Sequence, residues 1–289
     1  MQNDCYLPAG STARGGYTTV ITPERAGWTY SGLRILELAA GASAEVSTGP
    51  EEMLVLPLAG GAAVACDGAT YRLAGRRGVF SGPSDFAYVP RDSAAIVTAA
   101  DGPARIALPT ARCERRLKFR YGPVDGVSVE IRGAGQATRQ VNNFCAPDAF
   151  ETDAICAVEV LTPGGNWSSY PPHKHDEARD GEAVLEEIYY FEVAGEHGLG
   201  YQRVYGTLAG KRIDVLEQVR SGDVVLVPFG YHGPSMAAPG YDLYYLNVLA
   251  GPGAERSMSF CDDPDHHWVR DSWDGVPTDP RVPFGSEVS

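Results

Sequence analysis

The chain has 289 residues, 44% of them hydrophobic and 21% charged, a composition that suits a globular protein with one large or two moderate cores. Its net charge of −13 and pI near 4.9 argue against nucleic acid or an anionic membrane as a partner. The six cysteines, at 5, 66, 113, 145, 156 and 261, form no C-x-x-C pair, so neither a zinc ribbon nor a redox dithiol is indicated. The opening MQNDCYLPAG lacks a basic and an apolar leader region, and no apolar run reaches membrane length. The expected location is the cytoplasm, with reduced thiols.

In chain order, the first half reads as short apolar stretches between Gly, Pro and Asp turns: 17–23, 31–40, 44–49, 51–66, 69–75, 76–99 and 104–109. Spacings of roughly 8 to 12 residues without helical periodicity predict an all-β sandwich or barrel. A basic stretch, 111–126, then ends in Gly-Pro-Val-Asp-Gly and reads as a solvated linker. The second half repeats the rhythm of the first. EEMLVLPLAG at 51–60 echoes EEIYYFEVAG at 186–195, which sets Glu52 against Glu187, and FAYVPRDSAA at 86–95 echoes VVLVPFGYHG at 224–233. Two copies of one barrel are expected, over 1–115 and 116–289. The tail after Trp268, rich in Pro, Asp and Ser, reads as irregular coil.

Chemistry concentrates between residues 163 and 232. His173 and His175 are one residue apart, and a strand points such side chains to the same face, where both imidazoles can reach one ion. Lys174 between them points the other way. Glu187 shares its face with Tyr189 and Phe191, and a carboxylate buried among aromatics is costly unless a cation or a donor meets it. His232 closes GDVVLVPFGYH and supplies a third imidazole. The first copy has no histidine before Glu51 and offers only Asp92, Ser93 and Ala94 where the second has His232. It is expected to be a structural barrel without a metal site.

In this order the residues resemble the two signature motifs of the cupin β-barrels, with a polar insert at 176–185 lengthening the gap before the glutamate. The strings YPPHKHD, LEEIYYFE, QRVYG, GDVVLVPFGYH, YDLYYLNVLAGP and DPDHHW resemble, in order, the 5-deoxy-glucuronate isomerases of myo-inositol breakdown. These are relatives of the 5-keto-4-deoxyuronate isomerases of pectin breakdown. The likeness is strongest from about residue 166 to 268. It implies two double-stranded β-helix barrels, His173, His175, Glu187 and His232 as metal ligands, zinc as the metal and a small sugar acid as the partner. The donor types alone admit zinc, manganese, iron or nickel rather than calcium.

The implied reaction is the aldose–ketose isomerisation of 5-deoxy-D-glucuronate to 5-dehydro-2-deoxy-D-gluconate, in which a divalent ion stabilises an enediolate while a base moves a proton from C2 to C1. Candidates for the base are Asp176, Glu177, Tyr189, Tyr201 and Tyr245, with Asp176 and Tyr189 ranked first. Arg203 is expected to grip the substrate carboxylate, because a planar guanidinium offers paired donors to two oxygens. Two other readings stand beside this one: a metal-dependent cupin dioxygenase, and a non-catalytic sugar-binding bicupin. The sequence leaves the oligomeric state open, a homo-oligomer included.

Overall fold

The computed structural model describes residues 5–285, and strands make up most of it. One sheet of seven antiparallel strands runs in the order Tyr6–Leu7, Val224–Val227, Glu186–Val193, Leu243–Ala250, Cys156–Thr162, Arg139–Cys145, Ser128–Arg132. It faces a six-stranded sheet built on Lys211–Val219, Gly200–Leu208, Tyr231–Ala237 and His173–Lys174, and the two enclose an apolar interior that includes Tyr189, Phe191, Val204, Val215 and Val225. The first half forms a similar closed body around Glu51–Cys66, a strand of 16 residues. Its first part pairs with Phe86–Val89 and Ala104–Arg112, and its second part with Ala69–Arg76 and Ala94–Ala99. The strand changes partners near Gly60, which has φ +77°; a Cβ there would lie 2.4 Å from the Pro103 carbonyl oxygen.

The two bodies pack through their sheets. Leu54, Leu56 and Leu58 of the first join Ile188, Tyr190, Leu246 and Val248 of the second in one continuous core. The alternate residues Met53 and Val55 point into the first barrel, and Tyr189 and Phe191 into the second. Both central strands are therefore covered on both faces, which is why they read as unbroken apolar runs instead of alternating ones.

Strand register corrects the expected echo by one residue. Glu52 lies opposite Ala111 and Glu186 opposite Ala250, whereas Met53 lies opposite Val89 and Glu187 opposite Val227. Glu52 thus corresponds to Glu186, and Met53 to Glu187. A one-residue shift exchanges the two faces of a strand, so the difference is chemical. Glu52 accepts hydrogen bonds from the amides of Asp153, Ala154 and Ile155 (2.9, 2.6 and 2.8 Å), and Glu186 from those of Thr29, Tyr30 and Ser31 (2.7, 2.7 and 2.9 Å). Each carboxylate ties its own half to the other. In the first barrel Met53, Ser47 and Ala94 occupy the strand positions of Glu187, His173 and His232.

The expected boundary at 115/116 is crossed twice. Tyr6–Leu7 pairs with Val224 and Val225 of the second half, while Arg120–Gly122, beyond the boundary, pairs with Phe86–Tyr88 of the first. The basic stretch is largely exposed, as expected, but it is tied down at several points. Arg115 pairs with Asp153 and Arg116 with Asp67, and the Arg120 guanidinium lies over the rings of Tyr88 and Phe150. The insert at 176–185 folds as a hairpin of Asp176–Arg179 and Glu182–Val184. The tail begins with a 3-10 turn at His267–Trp273 and returns across the second barrel, where Asp279 accepts from Asn166 Nδ2 at 3.0 Å and its amide donates to Thr138. No helix is long and apolar enough to cross a membrane.

Candidate metal centre

His173 stands directly opposite His232 in an antiparallel pair, which brings residues far apart in sequence to one point on the barrel wall. Beyond His232 the chain needs a glycine: Gly233 has φ +98°, and a Cβ there would fall 1.8 Å from the Ser169 carbonyl oxygen. Glu187 approaches from the facing sheet. Donor atoms of His175, Glu187 and His232 lie within 4.8 Å of one another, and all three residues are buried. His173 is not part of that cluster. Its ring packs edge-on against His232, with centroids 4.4 Å apart, and against Phe260 at 4.6 Å.

Hydrogen bonds fix the tautomers. Nδ1 of His175 lies 3.2 Å from the Leu185 carbonyl oxygen, and Nδ1 of His232 lies 3.1 Å from that of Gly230. A carbonyl only accepts, so each ring donates from Nδ1 and turns its Nε2 inward, the nitrogen that a metal would take. Those two Nε2 atoms stand 2.9 and 3.0 Å from the same Glu187 oxygen. His232 Nε2 is within reach of the carboxylate but misaligned for a hydrogen bond, and it is a buried nitrogen without a partner. Two ring nitrogens and a carboxylate converging on one point need a proton or a cation between them, and three such donors at one buried point are a ligand set. The residues present fit a divalent ion.

Electrostatics keep the Glu187 carboxylate charged. Burial opposes charge on Glu187, but the imidazoles of His232 and His175 outweigh it and hold the carboxyl well below the usual range. Burial also opposes charge on His175, and the Glu187 carboxylate reverses that and raises it. Burial drives His173 well below its ordinary value, and the positive side of His232 adds to the effect.

In front of the cluster opens a cavity of about 1110 Å³, lined by His173, His175, Glu187, Tyr189, Tyr245 and Asn247 on the metal side and by Arg139, Phe260, Arg270 and Trp273 farther out. A chain of hydroxyls crosses its floor: Tyr189 Oη to Ser169 Oγ at 3.1 Å, Ser169 Oγ to Tyr245 Oη at 3.1 Å, and Tyr245 Oη to Ser168 Oγ at 2.9 Å. Burial, with the Glu187 charge beside it, pushes Tyr189 well above the ordinary phenol value, so this tyrosine keeps its proton. It suits a donor to oxygen, not a base. Asn247 is buried, and its Nδ2 lies beside the Tyr189 hydroxyl without a well-aligned hydrogen bond among the described residues.

Two of the expected site residues lie elsewhere. Arg203 is corrected: its Nη1 donates to Asp214 Oδ1 at 2.5 Å and to the Val215 carbonyl at 2.9 Å, and its guanidinium lies over Tyr205 on the outer face, outside the cavity. The inward positions of that strand belong to Gln202 and Val204, both fully buried. Asp176 is also corrected as a base. Its Oδ1 accepts from Lys174 Nζ at 2.5 Å and its Oδ2 from the Gly230 amide at 2.7 Å, so both oxygens are engaged away from the cavity. Lys174 does face away from the cluster, and its Nζ also reaches Glu177 and Glu182. The second group of carboxylates, Asp176, Glu177 and Glu182, therefore already holds a cation. Arg139 and Asn247 were not singled out from sequence, because only the packed sheet brings them to the cavity.

Closed antiparallel barrels in tandem, with a His/Glu cluster at the mouth of the second, define a bicupin. The oxalate decarboxylase of Bacillus subtilis, a protein with Mn(II) centres, shares the fold at TM-score 0.61 and 12% identity, over 91% of this chain and 80% of that one. The chain belongs to the KduI/IolB family, whose model matches residues 6–269. It is 40% identical over 269 residues to the 5-deoxy-glucuronate isomerase of Geobacillus kaustophilus strain HTA426, covering 92% of this chain and 95% of that protein. An IolB-like protein of Salmonella typhimurium LT2 superposes at TM-score 0.84 with 36% identity, over 92% and 98% of the two chains.

Proposed function

We propose that this chain is the isomerase that converts 5-deoxy-D-glucuronate to 5-dehydro-2-deoxy-D-gluconate in myo-inositol breakdown, with one divalent ion, zinc first, held in the second barrel. Its relatives' activity supports the reaction. The observation that carries the metal is the convergence of the His175 and His232 Nε2 atoms, at 2.9 and 3.0 Å, on one Glu187 oxygen, with both Nδ1 atoms already spent on carbonyls. His173 completes the donor set by turning its ring away from Phe260.

When bound, the ion supplies a Lewis acid that polarises the carbonyl and offsets negative charge on the sugar oxygens. The chain's own residues do the rest. The Leu185 and Gly230 carbonyls keep His175 and His232 in the ligating tautomer. Lys174 and Asp176 brace the Gly230 turn from behind. Asn247 Nδ2 donates to a substrate oxygen. Tyr189 holds its proton toward the reacting oxygens, and Ser169 and Tyr245 orient it. The test is elemental analysis of the purified protein followed by turnover of 5-deoxy-glucuronate with and without a chelator. Stoichiometric metal and chelator-sensitive isomerisation are expected. Dioxygen uptake without isomerisation, or turnover in metal-free protein, would overturn the reading.

A further inference from the structure

Three arginines line the cavity, and two of them are already paired. Arg132 donates to both Glu130 oxygens at 2.7 and 2.8 Å, and Arg270 to both Asp262 oxygens at 2.5 and 2.7 Å. Arg139 differs from both. It is only 7% exposed, and no carboxylate among the described residues lies within ion-pair reach of it. Its Nη1 donates to the carbonyls of Ala137 and Tyr170 at 3.1 and 3.3 Å, while Nε and Nη2 make no hydrogen bond to the described residues. The guanidinium carbon lies 5.7 Å from the Trp273 ring centroid, so the plane is propped from one side.

A buried guanidinium without a counter-charge is an expensive arrangement, and folded proteins pair such groups or use them. Burial, with the charges of Arg132 and Arg270 adding to it and Glu130 offsetting only part, brings Arg139 down to about 10, which still leaves it charged at neutral pH. Its charge is felt at His173 and at Tyr245, so it lies across the cavity from the metal cluster rather than on a separate surface. An acidic protein of net charge −13 repels an anion overall, which makes a local, desolvated cation the needed feature of any sugar-acid site.

We propose that Arg139 is the specificity-determining anchor for the substrate's carboxylate, its Nε and Nη2 forming a two-bond clamp that leaves the aldehyde end directed at His175, Glu187 and His232. The identity of the substrate rests on the isomerase reading above; the anchor itself rests on the unpaired charge. An Arg-to-carboxylate clamp fixes direction as well as affinity, because two parallel bonds set the plane of the acid. It also predicts which sugars are refused: those with a neutral end in place of the acid.

The experiment measures calorimetric binding and turnover of two ligands, 5-deoxy-glucuronate and its analogue with a primary alcohol at the acid carbon, by wild type, Arg139→Gln and Arg139→Lys. Metal content is determined for each protein. Wild type should prefer the acid by about 10- to 100-fold, the range expected for hydrogen bonds to a charged group, and Arg139→Gln should reduce that preference to about threefold or less. Arg139→Lys should recover part of it, since charge returns without the fork. A glutamine variant that loses affinity equally for acid and alcohol overturns the anchor and makes Arg139 a brace for the Ala137 and Tyr170 carbonyls. So does a wild type that binds both ligands alike. Failure of the isomerase reading looks different: wild type would bind the acid with the predicted preference and still not turn it over.

Discussion

Glu187 and His232 converge on the candidate metal point, so their replacement tests the chemistry, with folding checked beside it because His232 is fully buried among the rings of His173, His175 and Tyr189. Glu187→Gln and His232→Ala should each lose the ion and lower kcat by at least about 1000-fold, equivalent to roughly 4 kcal/mol of transition-state stabilisation. Metal content read beside steady-state kinetics checks this, and a metal-free variant with near-normal turnover would refute it. His173→Ala should weaken metal affinity less than either, because its ring rests on Phe260 outside the preformed cluster. Competition with a chelating dye ranks the three. Tyr189→Phe should keep the metal and lower kcat by roughly 100-fold, the usual contribution of a positioned proton donor. The cluster of His175, Glu187 and His232 was legible in sequence because strand alternation and a Pro-x-Gly-x-His turn are local patterns, whereas i, i+2 spacing alone did not bring His173 into it. Arg139, Arg203 and Asn247 were not legible, since a lone polar residue in an apolar strand does not declare its face. For Arg203 the pairing also slips between Gln202 and Val204, which no local pattern reveals.

Strands here carry their meaning in parity. The repeat between the halves was visible, but two adjacent glutamates in each copy allowed an alignment one residue off, and only cross-strand partners decide that Met53, not Glu52, stands where Glu187 does. Glu52 is instead the latch for the turn at residues 153–155, with Tyr88 donating to it at 2.8 Å as well. Glu52→Leu should remove an acceptor from three amides and cost roughly 3 kcal/mol, lowering Tm by about 5 °C in a chain of this size. Calorimetry checks it, and an unchanged Tm would mean that water serves those amides equally well. The tail is held by a titratable group. A hydrogen bond from Arg281 holds Asp279 at about 2, below its ordinary 3.8, so the latch is fully present above about 4 and is lost as pH falls through 2. Hydrogen exchange of the segment around Asp279 should quicken over that window, and Asp279→Asn should flatten the response.

At the scale of the whole molecule, the halves are not separable pieces. They share one apolar core and two carboxylate latches, and each supplies a strand to the other's sheet. Residues 116–289 made alone should aggregate or bind ANS strongly, and should recover metal binding only when residues 1–115 are supplied; a soluble, metal-binding fragment would contradict this. The sequence foretold two barrels but not their interleaving, because a two-residue strand such as Tyr6–Leu7 has no periodicity to read. That short strand also sets a clock. Leu7 leaves the ribosome 217 positions ahead of its partner Val224 (224 minus 7). At roughly 5 to 20 residues per second the wait is about 10 to 45 seconds, far longer than hairpins take to form. Tyr6–Leu7 is thus made early and placed late, and anything that captures it in that interval withholds the edge strand next to the one that carries Val227 and leads into His232.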